Sequence, residues 1–175
     1  MLRLLDPERD GAALHAVFGD EASCAYLAGP ATRSVSETVS LLKKWNVGTE
    51  ETTWAIVERE DGEALGRATL IPRGRNIWEV GVMLCPAARG RGLATEALTR
   101  MIDDVFEHRA ARRVFADIDA DNEPSLRLFE RLGFQREGRL RGNWMGLFPG
   151  RRSLVSAAAN GDPDLAGLAL PGDLA

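Results

Sequence analysis

The chain has 175 residues, of which 45% are hydrophobic and 27% charged, a balance typical of one soluble globular domain. Its net charge of −4 disfavours a nucleic-acid-binding protein, because such proteins are usually basic. No apolar stretch approaches the ~18–20 residues of a membrane span, and the N-terminus lacks the apolar region of a signal peptide. Cys24 and Cys85 are far apart and belong to no Cys/His cluster, which predicts buried thiols, no metal site and a cytoplasmic location.

The first half of the chain predicts two helices followed by a meander of three strands. Asp6 and Pro7 supply a cap and a first-turn proline before apolar residues at helical spacing. Ser34 and Glu37 form a capping box before a second such pattern. Alternating residues and turn signals then indicate strands. The predicted helices span residues 6–18 and 34–48, and the predicted strands span residues 54–58, 64–71 and 77–84.

The second half alternates helices with strands and ends in a segment without periodicity. A long apolar stripe predicts a helix from Leu93 to about Arg109, and Gly133 is a natural end for a helix that begins near Asn122. The predicted strands span residues 113–119, 134–142 and 152–159. With no internal repeat or linker, residues 1–159 are expected to form one α+β domain, and residues 160–175 a loosely attached tail.

A glycine-rich turn between the third strand and the long helix suggests a phosphate site. The first N–H groups of a helix have no intrahelical partner and lie at the positive end of its dipole. Gly90 and Gly92 allow an anion's oxygens to approach those groups closely, and Arg89 and Arg91 add positive charge. A plain strand-to-helix connection is the alternative. The turn has neither the lysine of a Walker A loop nor the spacing of a dinucleotide fingerprint.

The motif Arg89-x-x-Gly92-x-Ala94 resembles the acetyl-CoA loop of the GNAT superfamily of N-acetyltransferases. The flanking segments resemble that family's fourth strand, third helix and next helix–strand junction: residues 79–84, 93–98 and 121–134. The resemblance covers about residues 1–158 and is strongest to the Rim-type branch, which acetylates the N-termini of ribosomal proteins. It implies a mixed, mostly antiparallel seven-stranded sheet with about four helices and with strands splayed at the cofactor site.

The resemblance also implies how acetyl-CoA is held, with no metal. Its pyrophosphate is expected on the glycine-rich turn, formed by Arg89, Gly90, Arg91, Gly92, Leu93 and Ala94. Its pantetheine amides are expected on the backbone of Val82, Met83 and Leu84, since an extended amide chain can pair with an open strand edge. Asn122 is expected to cap its helix and to hydrogen-bond the pantetheine arm.

Two residues are candidates for catalysis. Glu79 matches the family's glutamate position, and a carboxylate acting through water deprotonates an α-amino group (pKa ~8) more easily than a lysine (pKa ~10.4). Ser125 is expected to donate a hydrogen bond or a proton to the coenzyme A sulfur, because Phe129 stands where many relatives have a catalytic tyrosine. The structural alternatives are a surface carboxylate and an ordinary first-turn serine.

The expected function is N-acetyl transfer from acetyl-CoA to a primary amine, either a protein N-terminus or a small molecule, by direct attack in a ternary complex. A non-catalytic acyl-CoA-binding or regulatory module is the alternative. A homodimer is expected from the resemblance, with no membrane or nucleic-acid partner. Asp117 and Asp119 alternate to one face of their strand, where they either line the acceptor cleft or are solvated.

Overall fold

The computed structural model describes residues 1–27, 29–46, 51–141 and 153–160, with the backbone alone at residues 46, 141 and 153–160. The strands are β1 (Leu2–Leu4), β2 (Thr52–Ile56), β3 (Gly66–Pro72), β4 (Ile77–Leu84), β5 (Arg113–Asp119), β6 (Gln135–Arg141) and β7 (Ser153–Asn160). The helices are α1 (Pro7–Phe18), α2 (Glu21–Cys24), α3 (Val35–Asn46), α4 (Leu93–His108) and α5 (Glu123–Arg131), with a short 3-10 turn at Pro86–Ala88.

All seven strands join one mixed sheet in the order β1-β2-β3-β4-β5-β7-β6. Every neighbouring pair is antiparallel except β4 and β5, which run parallel because α4 crosses over between them. The parallel pairing joins only Ile77–Glu79 to Arg113–Phe115. Beyond Glu79, the edge of β4 that faces β5 has no partner among the described strands, so a cleft opens between the two strands toward their carboxyl ends.

Helices cover both faces of the sheet. Successive side chains of a strand point to opposite faces, so each face has its own core. One core joins β3, β4 and β5 to α4 and α5, and its members include Leu70, Val80, Leu98, Met101, Val114, Leu126 and Phe129. The other joins β2 to α1 and α3, and its members include Leu14, Val17, Phe18, Leu42 and Ala55. The cleft therefore lies where α4 and α5 begin, at the carboxyl ends of β4 and β5.

The α+β class and the mixed sheet are confirmed, with two elements that the sequence patterns missed. Strand β1 has three residues, too few to show a period, and it forms because Leu2–Leu4 pairs with β2. Helix α2 has a single turn, capped by Asp20, and raises the number of α-helices to five instead of about four. Asn160 belongs to β7 and not to the predicted tail, whose other residues lie outside the described part of the chain.

Both cysteines are buried and unpaired, as the sequence predicted. Burial raises the pKa of both thiols, which makes them poor nucleophiles. Within the described ranges, no group of three or more His, Cys, Asp or Glu side chains is arranged to hold a metal ion. The helices of those ranges are all too short or too polar to cross a membrane.

Candidate functional site

The glycine-rich turn adopts a backbone conformation that only glycine adopts readily. Gly90 and Gly92 have φ of +75° and +77°, in the left-handed region where a Cβ is strained. Gly92 is also the N-cap of α4, and it provides no side-chain cap. A Cβ built on either glycine meets no atom within 4 Å, so the space in front of the turn is open.

This turn leaves a row of backbone donors exposed at the start of α4. In the described part of the chain, no N–H group from Gly90 to Thr95 donates a hydrogen bond, and the first intrahelical bond runs from the Glu96 N–H to the Gly92 carbonyl at 3.0 Å. These donors lie at the positive end of a 16-residue helix. The arrangement can therefore bind the oxygens of a phosphate or pyrophosphate.

The two arginines of the turn are held by other parts of the protein. Arg89 donates from Nη2 to the Ser23 hydroxyl at 2.5 Å and from Nε to the Leu84 carbonyl at 3.3 Å. Arg91 forms an ion pair with Glu58. Arg89, which forms no ion pair with a described residue, adds positive charge to the turn and ties it to α2, whereas the charge of Arg91 is balanced by Glu58.

The unpaired edge of β4 leads to this turn. Val82, Met83 and Leu84 are half-buried and pair with β3 along one edge only. The side chains of Val82 and Leu84 pack on the core beneath α4, while that of Met83 packs on the opposite core. Apart from the Leu84 carbonyl, which accepts a hydrogen bond from Arg89, the backbone groups on the other edge have no partner among the described strands and can pair with an extended amide chain.

Glu79 lies at the last position where β4 and β5 pair, opposite Phe115. Its side chain is 22% exposed, and Oε2 accepts a hydrogen bond from Arg73 Nε at 2.7 Å and forms an ion pair with Arg73 Nη2 at 2.5 Å. Arg73 lies in the turn between β3 and β4 and was not predicted as a site residue. The register of the β3–β4 hairpin, which places Ile71 opposite Glu79, is the signal that could have identified it.

The start of α5 brings Asn122 and Ser125 to the same edge of the sheet. The Asn122 side chain accepts a hydrogen bond from the Ser125 N–H at 3.2 Å, which confirms its predicted role as a cap. The Ser125 hydroxyl is half-buried and makes no hydrogen bond to another described residue. Phe129 is buried edge-on against Phe134, with ring centroids 5.0 Å apart, so it serves the core.

The two aspartates of β5 have different surroundings. Asp119 is buried, and its Oδ1 accepts a hydrogen bond from the Asp121 N–H at 2.9 Å, which shapes the turn before α5. Asp117 is half-buried, and its Oδ1 is shielded from solvent without any hydrogen-bond partner. Asp119 thus has a structural role, whereas Asp117 forms no ion pair with a described residue.

Comparisons with known proteins agree with this architecture. Residues 1–135 match the family model of the acetyltransferase (GNAT) domain. An N-acetyltransferase 9-like protein from Caenorhabditis briggsae is 32% identical over 123 residues, which are 63% of this chain and 62% of that protein. The match therefore spans less than two thirds of that relative's length.

Two solved structures share the fold. A probable GNAT-family acetyltransferase from Chromobacterium violaceum superposes with a TM-score of 0.83 at 26% identity, over 91% of this chain and 82% of the other. Spermidine N-acetyltransferase from Vibrio cholerae, solved with CoA and spermine, superposes with a TM-score of 0.76 at 18% identity, over 91% and 94%. At that lower identity, the likeness concerns the fold alone.

Proposed function

The chain belongs to the GNAT acetyltransferase family, and on that premise we propose that it transfers the acetyl group of acetyl-CoA to a primary amine by direct attack in a ternary complex. The observation that carries the proposal is the row of open N–H groups from Gly90 to Thr95, continuous with the unpaired edge of β4. The open N–H groups suit a pyrophosphate, and the unpaired edge of β4 suits an extended chain of amides. Coenzyme A contains both of these polar parts.

The residues at the cleft fit acetyl-CoA. The pyrophosphate is assigned to the glycine-rich turn, where a side chain at position 90 or 92 would fill the open space in front of the donors. The pantetheine arm is assigned to the backbone of Val82, Met83 and Leu84 and to the free amide nitrogen of Asn122. When bound, acetyl-CoA supplies a thioester, whose carbonyl carbon is the electrophile.

Two side chains of the protein are assigned to proton transfer and hydrogen bonding in the reaction. Glu79 is assigned as the general base, which takes a proton from the attacking amine through a water molecule. Its ion pair with Arg73 holds the side chain in place at the end of the β4–β5 pairing. Ser125 is assigned as the hydrogen-bond donor to the departing sulfur, since its hydroxyl makes no hydrogen bond to another described residue.

The acceptor is proposed to be a protein N-terminus or a small-molecule amine. The resemblance to the Rim-type branch favours a protein N-terminus, whereas the shared fold of the Vibrio cholerae spermidine N-acetyltransferase favours a small amine. A cytoplasmic location and a homodimer belong to the same proposal and rest on the resemblance.

The test measures thiol release from acetyl-CoA in the presence of peptides and small amines, with mass spectrometry of the products. We expect Glu79→Gln to lower the turnover number about 100-fold and to flatten its pH dependence, as removal of a general base does. The matched control is Glu60→Gln, an exposed glutamate in the turn after β2, which should leave turnover unchanged. Equal turnover and an equal pH profile for Glu79→Gln and the wild type would refute the assignment of the base.

A non-catalytic acyl-CoA-binding module is the second candidate, favoured by the buried Phe129 at the position of the family's tyrosine. Such a module would bind acetyl-CoA without releasing thiol for any amine. Calorimetry with acetyl-CoA beside the thiol assay separates the two candidates.

A further inference from the structure

Asp117 lies at the mouth of the cleft on the same face of the sheet as Glu79. The parallel register places Phe115 opposite Glu79, and the alternation of a strand brings Asp117 to the face of Phe115. Strand spacing and rise put the Cα atoms of Glu79 and Asp117 roughly 8 Å apart. Since β4 and β5 stop pairing at Glu79, Asp117 borders the space where the two strands separate.

Of the carboxylates around this part of the sheet, Glu79 and Glu137 form ion pairs, and the buried Asp119 accepts a hydrogen bond from the Asp121 N–H. Glu79 is paired with Arg73. Glu137 is paired with Arg113, which donates to both of its carboxylate oxygens. Within the described ranges, Asp117 has no ion pair. The pKa of Arg113 is raised mainly by its hydrogen bond with Glu137, and to a smaller extent by the negative charges of Glu137 and Asp117. Both terminal nitrogens of Arg113 donate hydrogen bonds to Glu137.

One carboxylate oxygen of Asp117 lacks the hydrogen-bond partner that a buried polar atom normally has. Its Oδ1 is cut off from solvent and receives no hydrogen bond, although nearly all buried polar atoms in proteins are hydrogen-bonded. Among the residues whose side chains are described, none donates to this carboxylate, and its more exposed oxygen is the part that an external cation can reach. A cation placed there would gain a charge-assisted hydrogen bond in partly desolvated surroundings.

We propose that Asp117 binds a second, non-reacting cationic nitrogen of the acceptor and so selects amines that carry two positive charges. The proposal rests on the proposed function, because it places the reacting amine beside Glu79. The reacting nitrogen must lose its proton, whereas the second nitrogen stays protonated on Asp117. Two carboxylates whose Cα atoms are at least roughly 8 Å apart suit a diamine or polyamine whose nitrogens are joined by an alkyl chain.

The test compares 1,4-diaminobutane with butylamine, which has the same chain and one charge. Calorimetry on the protein saturated with coenzyme A should show about 10-fold tighter binding of the diamine, and Asp117→Asn should abolish that preference while leaving butylamine unchanged. The matched control is Asp121→Asn, which removes one charge from an exposed position just beyond β5 and should keep the preference.

Equal binding of the two amines by the wild type, or an unchanged preference in Asp117→Asn, would overturn the proposal. Because the readout is binding, it decides the role of Asp117 whether or not acetyl transfer occurs. A wild type that binds the diamine preferentially but releases no thiol would refute the proposed function alone. If transfer occurs, the kcat/KM ratio of diamine to monoamine should fall about 10-fold in Asp117→Asn.

Discussion

Helix α4 begins differently from the four other α-helices of the described chain. Side chains cap the others: Asp6 for α1, Asp20 for α2, Ser34 for α3 and Asn122 for α5. Helix α4 begins at Gly92, with a left-handed backbone and no side-chain acceptor. In the described chain, a side chain accepts a hydrogen bond from first-turn N–H groups of every α-helix except α4, where we propose that an external anion binds.

The contrast is sharpest between α4 and α5, because each follows one strand of the parallel pair and both begin at the same edge of the sheet. At α5 the side-chain oxygen of Asn122 accepts a hydrogen bond from the Ser125 N–H. At α4 the equivalent donors stay open, which forgoes the few tenths of a kcal/mol by which a side-chain cap exceeds glycine. We interpret this lost stability as the cost of an anion site, and three predictions test the contrast.

The largest effect is expected from Gly92→Val. A β-branched side chain at a φ of +77° is strained, and it would occupy the open space in front of the donors. We expect acetyl-CoA to bind at least ~10-fold more weakly, about 1.4 kcal/mol, in calorimetry. The fold should survive because the apolar stripe of α4 anchors the helix.

The matched control for that variant is Gly133→Val, at a φ of +82° with similarly open space but at the far end of α5. It should cost stability through the same backbone strain and leave acetyl-CoA affinity intact. If Gly92→Val keeps a native circular dichroism spectrum and the wild-type affinity, the phosphates bind elsewhere.

A smaller effect is expected at the capped helix. Asn122→Ala should lower the free energy of unfolding by about 1 kcal/mol in urea titrations, because the Ser125 N–H loses its acceptor. Asn122→Asp keeps that acceptor and should preserve stability. Both variants lose the amide nitrogen, so both should raise the KM for acetyl-CoA several-fold. Equal destabilisation by Ala and Asp would show that the oxygen is not the capping group.

The smallest effect concerns Asp20, the cap of α2. Its pKa is lowered, mainly by the hydrogen bond from the Ser23 hydroxyl and also by the charge of Arg89. Because the pKa of Asp20 is lower in the folded than in the unfolded protein, its carboxylate stabilises the fold at pH values above the unfolded-state pKa of ~3.9. This contribution disappears as the pH falls through the folded-state pKa. Asp20→Asn should therefore melt below the wild type at pH 7, and the gap should close at strongly acidic pH. A gap independent of pH would contradict the assignment.

Local signals in the sequence identified most of the helices and strands and the candidate cofactor turn. Gly90 and Gly92 indicated where an anion could approach the backbone, because the absence of a Cβ is a property of one residue. Asn122 predicts a cap, and the stripe from Leu93 onward predicts α4, since both depend on neighbours within four residues. These features can be predicted from the local sequence without any tertiary contact.

Tertiary structure alone decided how distant residues combine. The strands β4 and β5 are parallel and separate after Glu79, and only their register places Asp117 on the face of that glutamate. The partner of Glu79, Arg73, follows from the β3–β4 hairpin, and the partner of Arg89, Ser23, lies 66 residues away in the chain. Pairing and packing between remote segments depend on the register of the whole sheet, which no local pattern encodes.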